Sequence, residues 1–266
     1  MFTFRRLTIL FFIVLLALNL INLFARYFNA GLPGIHSSVW YVLVFVLYFG
    51  ISFAMAFLPC SNFHHTVMCM GKATEKVLAL TFDDGPDTKN TPLVLKILEK
   101  HNIPATFFCI GKNLIGNEKL IMQIINQGHL IGNHSFGHSK WFDFLSARKI
   151  RMELLRTDQC IRNITGKTPR YFRPPFGVVN PMVSNALKGM HWQTVCWNIR
   201  SLDTMITDHR KISGRILHRL KPGSIILLHD HSSFSASHLD GLLSQIIMEG
   251  YRVIPLDQML NKPSYV

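Results

Sequence analysis

Two stretches without a charged side chain, residues 7–25 and 38–61, set the first limit on what this chain can fold into. Inside a bilayer every backbone N–H and C=O must be satisfied within the segment, so a charge-free run of this length that meets lipid is an α-helix. At helical rise, residues 7–24 reach about 27 Å and residues 39–58 about 30 Å, the thickness of a hydrocarbon core. Both are read as transmembrane helices. A cleaved signal peptide is the plain alternative for the first, but no small-x-small site follows, because the chain continues Phe24-Ala25-Arg26-Tyr27-Phe28-Asn29. Residues 1–70 are expected to form a membrane anchor and residues 71–266 a globular domain.

Arg5 and Arg6 precede the first span, Arg26 sits between the two, and Lys72 and Lys76 follow the second. This weak bias favours a multi-pass protein of the cell membrane, folded as a hairpin with both ends cytoplasmic. The chain carries 28 Lys and Arg against 15 Asp and Glu, for a net +13. Residues 1–70 hold three Arg and no acid, so +10 of that balance lies in the remainder. A solvated basic surface is the ordinary reading, and beside a membrane it also favours anionic headgroups or a phosphorylated glycan or lipid. No Lys/Arg-rich run, zinc-finger spacing or RNA-binding signature occurs, which argues against nucleic acid. The cysteines Cys60, Cys69, Cys109, Cys160 and Cys196 are too few and scattered for a disulfide framework or a thiolate metal site. Cys109 and Cys196 read as core thiols; Cys60 and Cys69 could pair outside the cytosol, though nothing in the sequence requires it.

After a linker at 59–72, strand-like runs fall at 77–82, 105–111, 130–135, 171–176, 193–199, 224–230 and 252–256. Amphipathic helices separate them. One opens at Thr91-Pro92, one carries Leu120, Ile121, Ile124 and Ile125 and stops at Gly128, one runs from a cap at Asp143 or Ser146 to Gly166, and one precedes Gly250. Such alternation means a parallel sheet with crossover helices, either an open doubly wound sheet or a (β/α) barrel. In both, chemistry sits at the carboxyl ends of the strands.

Those ends are unusually polar. The first closes Phe82-Asp83-Asp84-Gly85-Pro86; two adjacent carboxylates after a buried strand need a cation, unless they only hydrogen-bond turn amides. The third gives His134 and His138, four apart near a turn, able to reach one divalent metal or else merely exposed. Arg173 and Gly177 close the fourth, Asp203 follows the fifth, and His229-Asp230 ends the sixth. Each alone has a bland reading, but together they crowd one edge of one sheet.

At these positions the chain resembles a known family. TFDDGP (81–86), HSFGH (134–138), RPPFG (173–177), the 197–203 segment and LLH (227–229) look like the five successive motifs of the polysaccharide deacetylases, the NodB-homology or carbohydrate esterase 4 domain. The resemblance covers about residues 75–260. It implies a distorted (β/α)7 barrel and a metal-dependent hydrolase that removes N-acetyl groups from aminosugars. It further implies Asp84, His134 and His138 as metal ligands, Asp83 as catalytic base, Arg173 as its partner, Asp203 as the acid that orients the catalytic His, and His229 as general acid. Phe176 stands where the family often has Tyr, in a role that belongs to the backbone amide. Thr204 stands where Trp commonly follows the fourth-motif Asp, so one groove wall differs.

The residue types suit amide hydrolysis, which needs an activated water, a stabilised oxyanion and a proton for the departing amine. A three-ligand divalent metal, zinc first with Co, Mn or Ni as alternatives, meets the first two needs. The Phe176 N–H adds an oxyanion donor, and Leu227 is expected to line a small acetyl pocket. The expected partners are an acetylated aminosugar glycan or lipid-linked sugar, and membrane lipid. Two other readings remain open at this level: an O-acetyl esterase on the same fold, and a non-catalytic glycan-binding domain.

Overall fold

The computed structural model describes residues 3–27 and 37–266; the 28–36 connection and the side chain of Arg26, used in the charge-bias argument, lie outside the described residues. Helices α1 (Phe4–Tyr27) and α2 (Ser37–Ala56) form an antiparallel pair. The Thr8 and Tyr48 hydroxyls share a hydrogen bond of 3.1 Å, and the Tyr41 hydroxyl donates to Asn19 Oδ1 (3.0 Å) and accepts from Asn22 Nδ2 (3.2 Å). The polar groups of the two helices thus meet each other, which suits an apolar surrounding, while Leu16, Leu20, Leu23, Val46, Leu47 and Phe53 face outward and exposed.

Nine short strands follow: β1 (Val67–Met68), β2 (Val77–Asp83), β3 (Thr106–Cys109), β4 (Leu130–Asn133), β5 (Tyr171–Phe172), β6 (Gln193–Val195), β7 (Ile199–Arg200), β8 (Ser224–His229) and β9 (Arg252–Val253). They pair in parallel in the order β1-β6-β5-β4-β3-β2-β8-β7, with β9 beside the start of β2. The intervening helices are α3 (Thr91–Lys100), α4 (Gly111–Leu114), α5 (Glu118–Asn126), α6 (Ala147–Thr165), α7 (Pro181–Leu187), α8 (His209–Leu217), α9 (Ser233–Ser237), α10 (Leu239–Met248) and α11 (Leu256–Leu260). Ser146, not Asp143, caps α6, accepting from the Lys149 N–H, and Gly166 ends that helix in a left-handed conformation (φ 71°).

Strand alternation sorts the side chains. Leu78, Leu80 and Phe82 of β2, with Phe107, Ile131, Ile226 and Leu228, point outward and pack beneath α3, α5, α8 and α10. Each such fully buried side chain contributes about 1.5–3 kcal/mol of transfer free energy. The alternate set points inward: Ala79, Phe108, Tyr171, Val195 and Ile225 cluster there, and Leu256 and Met259 of α11 close the bottom. By the same parity Thr81 and Asp83, His134, Arg173, and Leu227 and His229 project into the interior toward the carboxyl edge. A Cβ on Gly132 would stand 2.6 Å from the Phe108 ring, so only glycine leaves room for that ring.

The result is a curled, distorted (β/α) barrel. Two features depart from the sequence reading. The stretch 59–72, read as linker, contains β1, which pairs with β6, and its Cys60 and Cys69 form a disulfide with Cα atoms 5.7 Å apart. The strand read at 193–199 is two: β6 lies between β1 and β5, and β7 moves over to β8. At the break Asn198 accepts from the Ile225 N–H (2.7 Å) and donates to Ser224 Oγ (3.1 Å), which replaces the missing ladder bonds.

Candidate active site

Arg173 is 0% exposed and fills the barrel interior. Its Nη1 donates to Asp83 Oδ1 (2.6 Å) and Thr81 Oγ1 (2.8 Å), its Nε to the Val195 carbonyl (3.1 Å) and its Nη2 to the Cys196 carbonyl (3.1 Å). The guanidinium lies 4.0 Å from the Phe108 ring centroid. One cation thus satisfies a buried carboxylate and both carbonyls released where the strand breaks.

Asp84 follows Asp83 in a left-handed conformation (φ 73°), and both carboxylates approach His134 Nε2, which lies 3.8 Å from Asp83 Oδ2. Asp84 Oδ1 stands 3.4 Å from His134 Nε2 and 3.3 Å from His138 Nε2. His134 Nδ1 is 2.7 Å from the Arg173 carbonyl, so the ring proton sits on Nδ1 and the Nε2 lone pair faces Asp84. Asp84 Oδ1 is buried and makes no hydrogen bond among the described residues. An orphaned carboxylate oxygen confronting an imidazole lone pair is unfavourable without a cation between them, and Asp84, His134 and His138 offer ligand atoms within 4.8 Å of one another. The three residues therefore fit a divalent metal.

The segment between the two histidines is held from behind. Asn133 Oδ1 accepts from the Ser135 N–H (2.9 Å), and its Nδ2 donates to Asp158 (2.7 Å) and to the Leu154 carbonyl (2.8 Å). Ser135 and His138 both have positive φ, 63° and 46°. Strain of this kind persists only where surrounding contacts over-determine it.

His229 faces the cluster from β8, its Nε2 3.9 Å from Asp84 Oδ2. Its Nδ1 meets Asp203 Oδ1 at 2.8 Å, and its backbone N–H donates to Asp203 Oδ2 at 2.8 Å. Ser201 (2.7 Å) and Ser232 (2.8 Å) complete the shell of Asp203. Burial pushes the Asp203 carboxyl up, but the bonds from His229 and Ser201 bring it below its ordinary value. Burial would lower the His229 imidazole, yet Asp203, then Asp83 and Asp84, raise it. The pair can therefore hold a proton over the carboxylate cluster.

Phe176 adopts φ 57° and packs on the His138 ring, centroids 5.0 Å apart, with half its surface exposed. A Cβ on Gly177 (φ 71°) would stand 2.7 Å from the Trp197 ring, so glycine is needed for both conformation and space. Leu227 lies on the inward face of β8 below His229, almost wholly buried. All nine residues singled out from the sequence thus gather at one barrel mouth. Sequence reasoning missed the supporting roles of Thr81, Asn133, Ser201 and Ser232, and that of Asp230, which is 0% exposed beneath Gly85. Burial, with Asp87 and Asp84 nearby, pushes the Asp230 carboxyl up to about 7 against the hydrogen bond from Thr91 Oγ1. Its signal was a carboxylate directly after His229 at the end of β8.

A family model described as polysaccharide deacetylase matches residues 70–195. The peptidoglycan-N-acetylglucosamine deacetylase PgdA of Listeria monocytogenes is 32% identical over 189 residues, 71% of this chain but only 40% of that relative's length. The peptidoglycan-N-acetylmuramic acid deacetylase PdaA of Bacillus subtilis is 34% identical over 195 residues, covering 72% of this chain and 74% of its own. A solved CE4 family pseudoenzyme from Bacillus anthracis superposes with a TM-score of 0.69 at 26% identity, over 75% of this chain and 71% of that one. The barrel is thus compatible with a pseudoenzyme, so the side chains at the mouth must carry any argument about activity. The chain belongs to the polysaccharide deacetylase family.

Proposed function

We propose that this chain is a metal-dependent hydrolase that removes N-acetyl groups from an N-acetylaminosugar glycan, with residues 71–266 as its catalytic domain and residues 1–70 as a two-helix membrane anchor. The observation that carries the reading is the convergence of three units on one point: the Asp84, His134 and His138 cluster, the Asp83–Arg173 pair, and the Asp203–His229 pair. A non-catalytic scaffold would have no use for so many buried charges.

Asp84, His134 and His138 would hold the metal, with zinc first and Co, Mn or Ni as alternatives; it supplies Lewis acidity toward the acetyl carbonyl and a water acidic enough to react near neutrality. Asp83, aimed by the hydrogen bond from Arg173, would take a proton from the attacking water. The Phe176 N–H donates to the developing oxyanion, and Leu227 floors the acetyl pocket. His229, held protonated by Asp203, gives its proton to the leaving nitrogen.

The Cys60–Cys69 disulfide supports a location outside the cytosol, as does the peptidoglycan named for the relatives. The flanking basic residues lean the other way, but by so few charges that the disulfide outweighs them. The test is acetate release by the full chain in detergent from N-acetylglucosamine oligomers and peptidoglycan fragments, beside matched O-acetyl sugars. Release from the N-acetyl set supports the proposal. Release only from the esters would make the protein an esterase, and none from either would return it to a binding role.

A further inference from the structure

The two apolar helices end beside the mouth of the site. The Ala56 carbonyl at the end of α2 accepts from the Val179 N–H (2.9 Å), three residues past Phe176. The next residue, Asn180, donates from its side chain to the Asp143 carbonyl (2.6 Å), which brings the segment after His138 to the same place. Further ties run from the Phe4 N–H to the Phe63 carbonyl (2.9 Å), from Ser184 Oγ to the His64 carbonyl (2.8 Å) and through the Cys60–Cys69 disulfide. The helices are therefore joined to the barrel at several points, one of which, Ala56 to Val179, lies beside the mouth.

Around this junction stand Phe57, Leu58, Trp141, Phe144, Phe176 and Met182, exposed by 55, 57, 59, 75, 51 and 40%. Trp141 and Phe144 pack edge to face with centroids 5.8 Å apart. Scattered single exposures are ordinary, but a group of large apolar side chains continuous with two lipid-length helices marks a contact surface. Cations accompany the rim and the anchor: Lys140 lies over the Trp141 ring (5.6 Å), and at the foot of the anchor Arg5 and Lys188 line one hollow of about 340 Å³ between the start of α1 and α7. Aromatic side chains among cations suit the headgroup layer of a membrane.

We infer that this rim rests in the headgroup layer of the same bilayer that holds α1 and α2, so that the site faces the membrane surface and takes an acetylated aminosugar carried on a lipid. The inference rests on the reading of α1 and α2 as membrane spans and of the mouth as a deacetylase site. Phe176 belongs to the rim and also touches the His138 ring, so only one side chain separates the lipid surface from the metal cluster. A sugar tethered to that surface meets the site at a high effective concentration, whereas a free glycan must diffuse to it.

The test uses the full chain in phosphatidylcholine vesicles with lipids brominated near the headgroup or deep in the acyl chains. Because Trp192 and Trp197 also emit, the difference between wild type and Trp40→Phe reports insertion of the anchor, and the difference between wild type and Trp141→Phe reports the rim. Quenching of both tryptophans, Trp141 by the shallow label, is expected. Quenching of Trp40 without Trp141 overturns the inference and leaves the anchor standing, and quenching of neither removes both. In a parallel assay Trp141→Ser/Phe144→Ser lowers kcat/KM for a polyprenyl-linked N-acetylaminosugar by about tenfold, as expected for withdrawing large apolar side chains from lipid, and leaves a soluble N-acetylglucosamine oligomer within about twofold. An equal loss on both substrates would make the rim a sugar platform and overturn the inference. Absence of turnover on either would remove the deacetylase reading, and the quenching result would still decide the rim.

Discussion

Replacing Arg173 by Met removes the cation from the barrel interior while keeping much of its stem. Four hydrogen bonds disappear, and the Asp83 carboxylate, 3% exposed, is left without its cation together with the carbonyls of Val195 and Cys196. Breaking a buried ion pair by removing one partner costs about 3–5 kcal/mol, and with the pair this buried no discount for solvent screening applies. For a domain of this size each kcal/mol shifts Tm by about 2–4 °C, so Arg173→Met should melt roughly 6–20 °C lower. Adding Asp83→Asn removes the orphaned charge, so the double variant should be less destabilised than the two single losses summed, by at least about 2 kcal/mol. Thermal unfolding of the four proteins in detergent, followed by circular dichroism, measures both quantities. An Arg173→Met protein within a few degrees of wild type, or strict additivity, would refute the argument that this pair holds the interior together.

Three further outcomes follow from named contacts. Asp203→Asn removes the main group raising the His229 imidazole; because His229 must be protonated to act, the alkaline limb of kcat should move to lower pH, and an unmoved or upward-shifted limb would count against the assignment. Gly85→Ala puts a Cβ 2.1 Å from Asp230 Oδ2 and should lower stability by about 1–3 kcal/mol, read as a lower denaturation midpoint, with an unchanged midpoint contradicting the packing described. Reduction of the Cys60–Cys69 bridge, or Cys60→Ser, opens a loop of nine residues' separation and should cost about 2–3 kcal/mol, seen as a lower melting point in dithiothreitol than without it.

Much of this molecule was legible in its sequence because strand parity and strand ends are local properties. The run TFDDGP ends a continuous apolar strand, and alternation alone decides that Asp83 shares the inward face with Thr81. The helix punctuation was equally plain at Thr91-Pro92 and at Gly166, where backbone chemistry fixes the choice. What escaped depends on partners far along the chain. Val67-Met68 is too short to show a period, and becomes a strand only because β6 offers an open edge. The 193–199 run has continuous strand character, yet divides because Arg173, twenty or more residues earlier, takes the carbonyls of Val195 and Cys196. The caps of α7 and α8, Asn180 followed by Pro181 and Asp208 at the start of its helix, were readable but were not used. The supporting roles of Ser201, Ser232 and Asp230 were hidden, since hydroxyls and carboxylates near turns are common and only the folded chain shows which ones converge.

The central claim, that the Asp83, Asp84, His134 and His138 constellation is a working hydrolytic centre, is tested most directly by measuring bound metal and acetate release on the same preparations of wild type and Asp83→Asn. Asp83 is assigned to proton transfer and not to metal binding, so Asp83→Asn should retain about one metal per chain and lose about 10²–10⁴-fold in acetate release, while chelation abolishes release by wild type. Full metal content and undiminished release in Asp83→Asn would contradict the assignment of the base, and release by a metal-free wild-type protein would contradict the account as a whole.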